Sequence, residues 1–285
     1  MDTAIGSADT PKPAFRRAVL RAACRRLDGR TVLADRYHEA PLKIAKTFAE
    51  EASGGLGLYI LDVSPGLMDG DRYEVSIRLD PGTRLFVTNQ SFAKVHPSPR
   101  LGAGIRHVFS VGRGAVLEYV PEPTIPFADS RFASHTRFEL DEGAELFYAD
   151  VLAPGRTHSG ERFRYASVSL RTEAYRCGRL AMWDHFRLEP VAHRHTLPGA
   201  MEHFTHSGVC WILSDRAGEE LLSRIRDSLP ASGDSLIAGA SLAEDRGVAV
   251  RMLGTSACQL QRVIDAVWDE CRRFLWGLPP CPFKK

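Results

Sequence analysis

The chain has 285 residues, 44% hydrophobic and 25% charged. At roughly 150 residues per domain this is one or two globular domains with room for a core, which excludes a collagen-like, long coiled-coil or mainly disordered chain. Lysine and arginine total 37 against 35 acids, net +2, so no overall field points to nucleic acid or a membrane surface.

From the start of the chain, Met1-Asp2-Thr3-Ala4 shows no basic start or apolar leader pattern. The longest apolar run, Gly54 to Leu61, is far short of the roughly 20 residues that span a bilayer. A cytoplasmic protein is expected. Cys24, Cys177, Cys210, Cys258, Cys271 and Cys281 are scattered without a CxxC pair and are expected to be small buried hydrophobes in a reducing compartment. The basic stretch of residues 12–26 (Lys12, Arg16, Arg17, Arg21, Arg25, Arg26) reads as a first surface element showing charge to solvent.

Period-two alternation dominates the middle of the chain. Tyr73, Val75, Ile77 and Leu79 alternate with Glu74, Ser76, Arg78 and Asp80, the pattern of a half-buried strand. A turn follows at Pro81-Gly82, and Leu85 and Val87 resume the alternation. The unit returns as Phe109-Ser110-Val111, Gly114, Leu117, Tyr119, and again as Phe138-Glu139-Leu140, Gly143, Leu146, Tyr148. A looser copy runs from Tyr175 through Gly178 to Met182. Gly82, Gly114, Gly143 and Gly178 lie 32, 29 and 35 residues apart. This predicts a mainly β, stacked β-helical (solenoid-like) sandwich of strand-turn-strand units, with a Greek-key sandwich as the alternative.

The last third differs. Residues 256–276 read as a helix, with Leu260, Val263, Ile264, Val267, Trp268, Cys271 and Leu275 on one stripe. Ser256 and Gln259 form an expected capping box, and Gly277 followed by Pro279 and Pro280 an expected stop. A weaker helix is expected over residues 216–229, and strands over 235–242 and 248–253. No linker separates two domains. One domain, 1–285, is expected, with a β-stack over about 30–190 and a mixed α/β part over about 210–280 packed on it.

Common catalytic signatures are absent: no GxSxG, no GxxxxGK[ST], no HExxH and no GxGxxG. His193, His195, His203 and His206 cluster in sequence, and imidazole suits borderline metals such as nickel. A nickel-storing protein built on them is one reading. Asp69, Asp71, Glu74, Glu118, Glu122, Glu161 and Asp184 fall near expected turns. They allow a second reading, a β-helical carbohydrate-active enzyme using paired carboxylates, or they could line a hydrophilic passage.

Five ordered motifs carry a resemblance: Ala40-Pro41-Leu42-Lys43-Ile44; Ser64-Pro65-Gly66-Leu67-Met68-Asp69-Gly70-Asp71; Thr88-Asn89-Gln90-Ser91-Phe92-Ala93-Lys94-Val95; Leu117 to Phe127 (LEYVPEPTIPF); and Pro154 to Phe163 (PGRTHSGERF). Together they resemble the urease accessory protein UreD (UreH) family, most clearly over residues 30–190. Leu67, Asp69, Asn89, Ala93 and Glu122 depart from its pattern.

The resemblance implies a β-helical scaffold that is not an enzyme. Such a scaffold binds UreF, recruits the GTPase UreG and docks on apo-urease. Nickel in transit would cross a polar channel in the scaffold, and no nucleotide would bind this chain. On the matching motifs, Asp71, Glu74, Glu118 and Glu161 become candidates for a transient nickel path. Lys94 and Arg156 are basic motif positions that either neutralise channel carboxylates or hold the strands together, the second reading being preferred. Gly70, Gln90, Pro121 and Gly160 complete the motif residues.

Overall fold

The structure is a computed structural model and describes residues 15–283 apart from residue 245. Met1–Ala4 and Lys12 lie outside the described residues. Strands β1 (Arg16–Leu27), β5 (Asp71–Leu79), β8 (Ala103–Val111), β11 (Arg131–Leu140) and β13 (Ser167–Arg176) run parallel, side by side, in one sheet. Strands β4 (Gly55–Asp62), β6 (Arg84–Asn89), β9 (Val116–Tyr119) and β12 (Glu145–Leu152) run parallel in the second.

Each expected unit crosses from the first sheet to the second through a glycine corner. Gly82, Gly114 and Gly143 sit there at φ 68°, 62° and 67°, a left-handed conformation that a side chain disfavours. The corners stack, with the Gly82 amide donating to the Arg113 carbonyl and the Gly114 amide to the Glu142 carbonyl. Parallel pairing between successive turns makes this a solenoid rather than a Greek key, because a hairpin-connected sandwich pairs its strands antiparallel. Phe109 stacks on Phe138 and Tyr119 on Tyr148, one turn above the other, with ring centroids 5.3 and 5.7 Å apart.

The looser fourth copy is different. Tyr175 to Met182 turns back within the first sheet, pairing β13 with β14 (Arg179–Leu188) antiparallel. At the opposite end β2 (Arg30–His38) folds back on β1. In the second sheet β3 (Leu42–Glu50) folds back on β4. Each of these three hairpins contains a register shift, at Ala23/Cys24, Ile44/Thr47 and Ala174/Tyr175. Two short strands, β7 (Ala93–Val95) and β10 (Thr124–Pro126), pair with each other at the sheet margin.

The remaining segments extend the second sheet antiparallel with β15 (His206–Leu213), β17 (Gly247–Gly254) and β16 (Leu236–Ala243). Helices α1 (Glu219–Ser228) and α2 (Ala257–Trp276) lie on that sheet's outer face. The expected stripe of α2 is buried there against Phe86, Phe147, Cys210, Ile212 and Val250. The basic stretch becomes β1, with Leu20 and Cys24 turned to the core and Arg17, Arg21 and Arg25 to solvent. Four cysteines are buried, but Cys177 and Cys258 are exposed, the first in the β13–β14 turn. All six are free thiols.

Gly277 ends α2 in the left-handed conformation, as expected. The capping box does not form. Ser256 occupies the N-cap but makes no side-chain cap bond, and Gln259, the other half of the box, bonds instead to the Thr255 hydroxyl and to Ser235 Oγ, each at 3.2 Å. Ser256→Ala should therefore change stability by less than about 0.5 kcal/mol in urea unfolding, against about 1 kcal/mol for a working cap.

Candidate functional site

In a period-two strand facing a core, the inward positions are normally apolar throughout. Here one level of the stack breaks that rule. In β8 the inward row is Ile105, His107, Phe109, Val111; in β11 it is Phe132, Ser134, Thr136, Phe138, Leu140. His107 pairs in register with Thr136, Thr136 with Thr172 of β13, and Thr172 with Asp184 of β14. Four successive strands thus place a polar side chain at the same height. Across the gap, Tyr119, Tyr148 and Trp211 are register partners in the second sheet.

The facing groups satisfy one another. The Tyr119 hydroxyl lies 3.3 Å from His107 Nε2, and the Thr136 hydroxyl 3.4 Å from His107 Nδ1. The Tyr148 hydroxyl donates to Asp150 Oδ2 at 3.2 Å. Trp211 Nε1 and an Arg251 Nη donate to the Asp184 carboxylate at 3.4 and 2.8 Å. Burial lowers the His107 pKa to about 4, so its ring is neutral and keeps a nitrogen lone pair. Burial raises Asp150 to about 6, and the charge of Asp184 adds to that rise.

The file opens into a cavity at each end. A small one, about 60 Å³, is lined by His107 and Tyr73 with Ser64, Gly66, Gln90 and Lys94, residues of two family-like motifs. A larger one, about 490 Å³, is lined by Tyr148, Asp150, Thr172 and Asp184. Hydroxyls, a neutral imidazole and two carboxylates are weak, exchangeable ligands for a divalent cation. The arrangement suits passage better than storage. Among the described residues no three His, Cys, Asp or Glu side chains gather as a metal-holding set.

The sequence-selected carboxylates are not brought together. Asp71 is buried in phase with Tyr73, and its Oδ2 accepts from the Met68 amide at 2.7 Å, closing the turn before β5. Glu74 points the opposite way, onto the outer face, where Arg17 at 2.5 Å holds its carboxyl below the usual range. Glu118 is buried, but faces α2, accepting from Trp268 Nε1 and Arg272 Nη1, both at 2.6 Å, and from Arg84 at 2.9 Å. Glu161 is clamped by Arg156, with Nε to Oε2 at 2.8 Å, and accepts from the Ala128 amide. Arg156 also covers the Phe127 ring at 4.2 Å, so it joins its loop to the one at Phe127. Gly70 and Gly160 make the turns around these acids at positive φ. Pro121 lines a separate groove of about 690 Å³ against α2.

The histidines are engaged singly. His193 Nδ1 accepts from the Glu189 amide, His195 packs on Phe163, and His203 Nε2 bonds the Asp234 carbonyl. His206 is buried at the start of β15, with its pKa lowered to about 4.

Of the file, sequence inspection singled out only Asp184 for its chemistry, as one of the carboxylates near expected turns, with Tyr119 and Tyr148 noted only as repeat positions. The available signal was phase: a polar residue where the alternation calls for an apolar one, as at His107, Thr136 and Asp150. Asp71 is expected to behave as a turn cap. Asp71→Ala should cost about 1 kcal/mol in denaturant unfolding and Asp71→Asn less. Glu74→Gln, which removes only an exposed ion pair, should cost under about 1 kcal/mol.

The family model for "UreD urease accessory protein" matches residues 16–284. Proteins named urease accessory protein UreD align over most of the chain. That of Acetivibrio thermocellus is 35% identical over 240 residues, covering 84% of this chain and 91% of its own length. That of Bacillus sp. strain TB-90 is 29% identical over 259 residues, 91% and 95% of the two chains. That of Staphylococcus aureus is 25% identical over 240 residues, 84% and 86%. With a parallel β-stack, its five motifs and a match from the first strand to the C-terminus, the chain belongs to the UreD family of urease accessory proteins.

Proposed function

We propose that this chain is a scaffold in urease maturation, working in the cytoplasm with UreF, UreG and apo-urease, and that nickel crosses it between its two sheets. The observation that carries the route is the polar file from His107 through Thr136, Tyr148 and Thr172 to Asp150 and Asp184, with a cavity at either end.

The residues divide the task by chemistry. The neutral imidazole of His107 offers a borderline ligand without repelling a cation. The hydroxyls of Thr136, Tyr119, Tyr148 and Thr172 replace part of its water shell. Asp150 and Asp184 supply negative charge at the larger cavity. A tight tetrahedral set would trap the ion; two carboxylates and hydroxyls let it leave. GTP hydrolysis is assigned to a partner, since the sequence has no phosphate loop.

The test is co-expression of urease subunits and the other accessory proteins with and without this chain. Urease activity and nickel per subunit should both fall in its absence. Unchanged nickel content would end the accessory reading.

A further inference from the structure

The outer face of the second sheet is covered by α1 and α2, whereas among the described residues no element covers the outer face of the first. That bare face is basic. β1 turns out Arg17, Arg21 and Arg25, β8 Arg106, β13 Arg171 and β14 Arg187. The carboxylates of β5, β11 and β13 on the same phase, Glu74, Glu139 and Glu173, are each already paired, with Arg17, Arg137 and Arg171 among their partners. Among the described residues Arg21, Arg25 and Arg106 form no ion pair of their own; Arg21 and Arg106 share only the field of Glu74, which is already paired with Arg17. A chain with net charge +2 therefore concentrates positive charge on one flat surface.

From this we infer that the outer face of the first sheet docks an acidic protein surface. Its size fits. Seven strands about 4.8 Å apart and roughly ten residues long span about 30 Å each way, close to the roughly 800 Å² per partner of a standard interface. The carboxylates and aromatic rings interspersed on this face favour a protein over a nucleic acid. The outward positions of β1, β5, β8, β11, β13 and β14 carry arginine and no lysine. Beside them stand the exposed rings of Tyr37 and Trp183, 50% and 53% exposed. Arginine, tyrosine and tryptophan are enriched and lysine depleted in protein interfaces. The interspersed glutamates would repel a phosphate backbone but fix register on a protein of complementary pattern.

Only the identity of the partner, a component of the urease assembly, rests on the function proposed above. The test compares the wild-type chain with the triple variant Arg21→Gln, Arg106→Gln, Arg171→Gln. Each is tagged and co-expressed with its urease subunits and accessory partners. The wild type should retain at least one of them at low salt and release it as salt rises. The variant, native by circular dichroism, should retain about tenfold less. Phenylglyoxal labelling of the wild-type complex gives a readout without mutation: Arg21, Arg106 and Arg171 should be protected relative to the free chain. Equal retention by the folded variant, or no protection in the complex, overturns this inference alone. No complex even with the wild type overturns it together with the accessory reading. Tighter binding of a 20-nucleotide RNA than of any of these proteins also overturns it, in favour of a nucleic-acid face.

Discussion

Replacing Arg272 by alanine should destabilise the protein by about 3–5 kcal/mol and lower its thermal midpoint by roughly 10 °C. The guanidinium is 0% exposed beneath α2. It donates to Glu118 Oε2 at 2.6 Å, to the Pro279 carbonyl at 2.7 Å and to Glu50. Glu118 and Glu50 come from β9 and β3, so one side chain ties the last helix and the C-terminal turn to two strands of the second sheet. Removing it leaves Glu50 with only the Ser53 hydroxyl and the interior of a packed face around it. Arg272→Lys keeps the charge, but one ammonium cannot span both carboxylates and the carbonyl, and should recover only part of the loss. Urea unfolding of both variants checks this. A loss under 1 kcal/mol for the alanine variant would mean that water reaches the carboxylates and the cluster is not the tie described.

The second large effect separates stability from function at one atom. Asp150→Asn should make the protein more stable at pH 7 while reducing nickel transfer severalfold. Burial raises the Asp150 pKa to about 6, above its unfolded value near 3.9. For an acid shifted upward, the native state is penalised once the group ionises. Stability therefore falls as pH rises from about 4 to 6 and stays lowered above that. The amide removes this penalty. It also forfeits one accepted bond from Tyr148 or the Val151 amide, and the cavity already lets some water reach the carboxylate. The net gain at pH 7 should be about 1–2 kcal/mol. The gain should vanish below pH 4, where the wild-type carboxyl is neutral in both states. Delivery should suffer because a neutral amide no longer attracts a divalent cation. Thermal midpoints from pH 4 to 8, with nickel content after co-expression, test both halves. Full nickel loading with the asparagine variant would remove Asp150 from the route.

The stack was legible because its signal is repetitive. Tyr73 to Leu79 alternates strictly, and Gly82, Gly114 and Gly143 mark corners at nearly even spacing. The α2 stripe and its Gly277 stop were legible for the same reason, being local and periodic. Gly178 misled because a hairpin turn and a solenoid corner both need a positive φ; only pairing partners far along the chain tell them apart. Glu118 looked like a metal ligand because strand phase alone does not say that a helix 150 residues later covers it. The interior file was harder still. His107, Thr136 and Thr172 lie 29 and 36 residues apart, with Asp184 across a hairpin from Thr172, and their meeting depends on the exact register of four strands. Each alone is an ordinary polar residue in a strand.

The three terminal hairpins also bear on how the molecule behaves in a crowd. A ladder built by repetition could keep growing, since each parallel turn leaves an edge ready to accept the next, even from another molecule. Here the chain reverses at those ends, and each reversal contains a bulge that twists the outer strand away from a flat pairing geometry. A copy approaching that edge meets the wrong direction and a broken register. At these three edges the backbone itself opposes growth into fibres, whereas at the fourth edge β16 pairs with β17 in unbroken register.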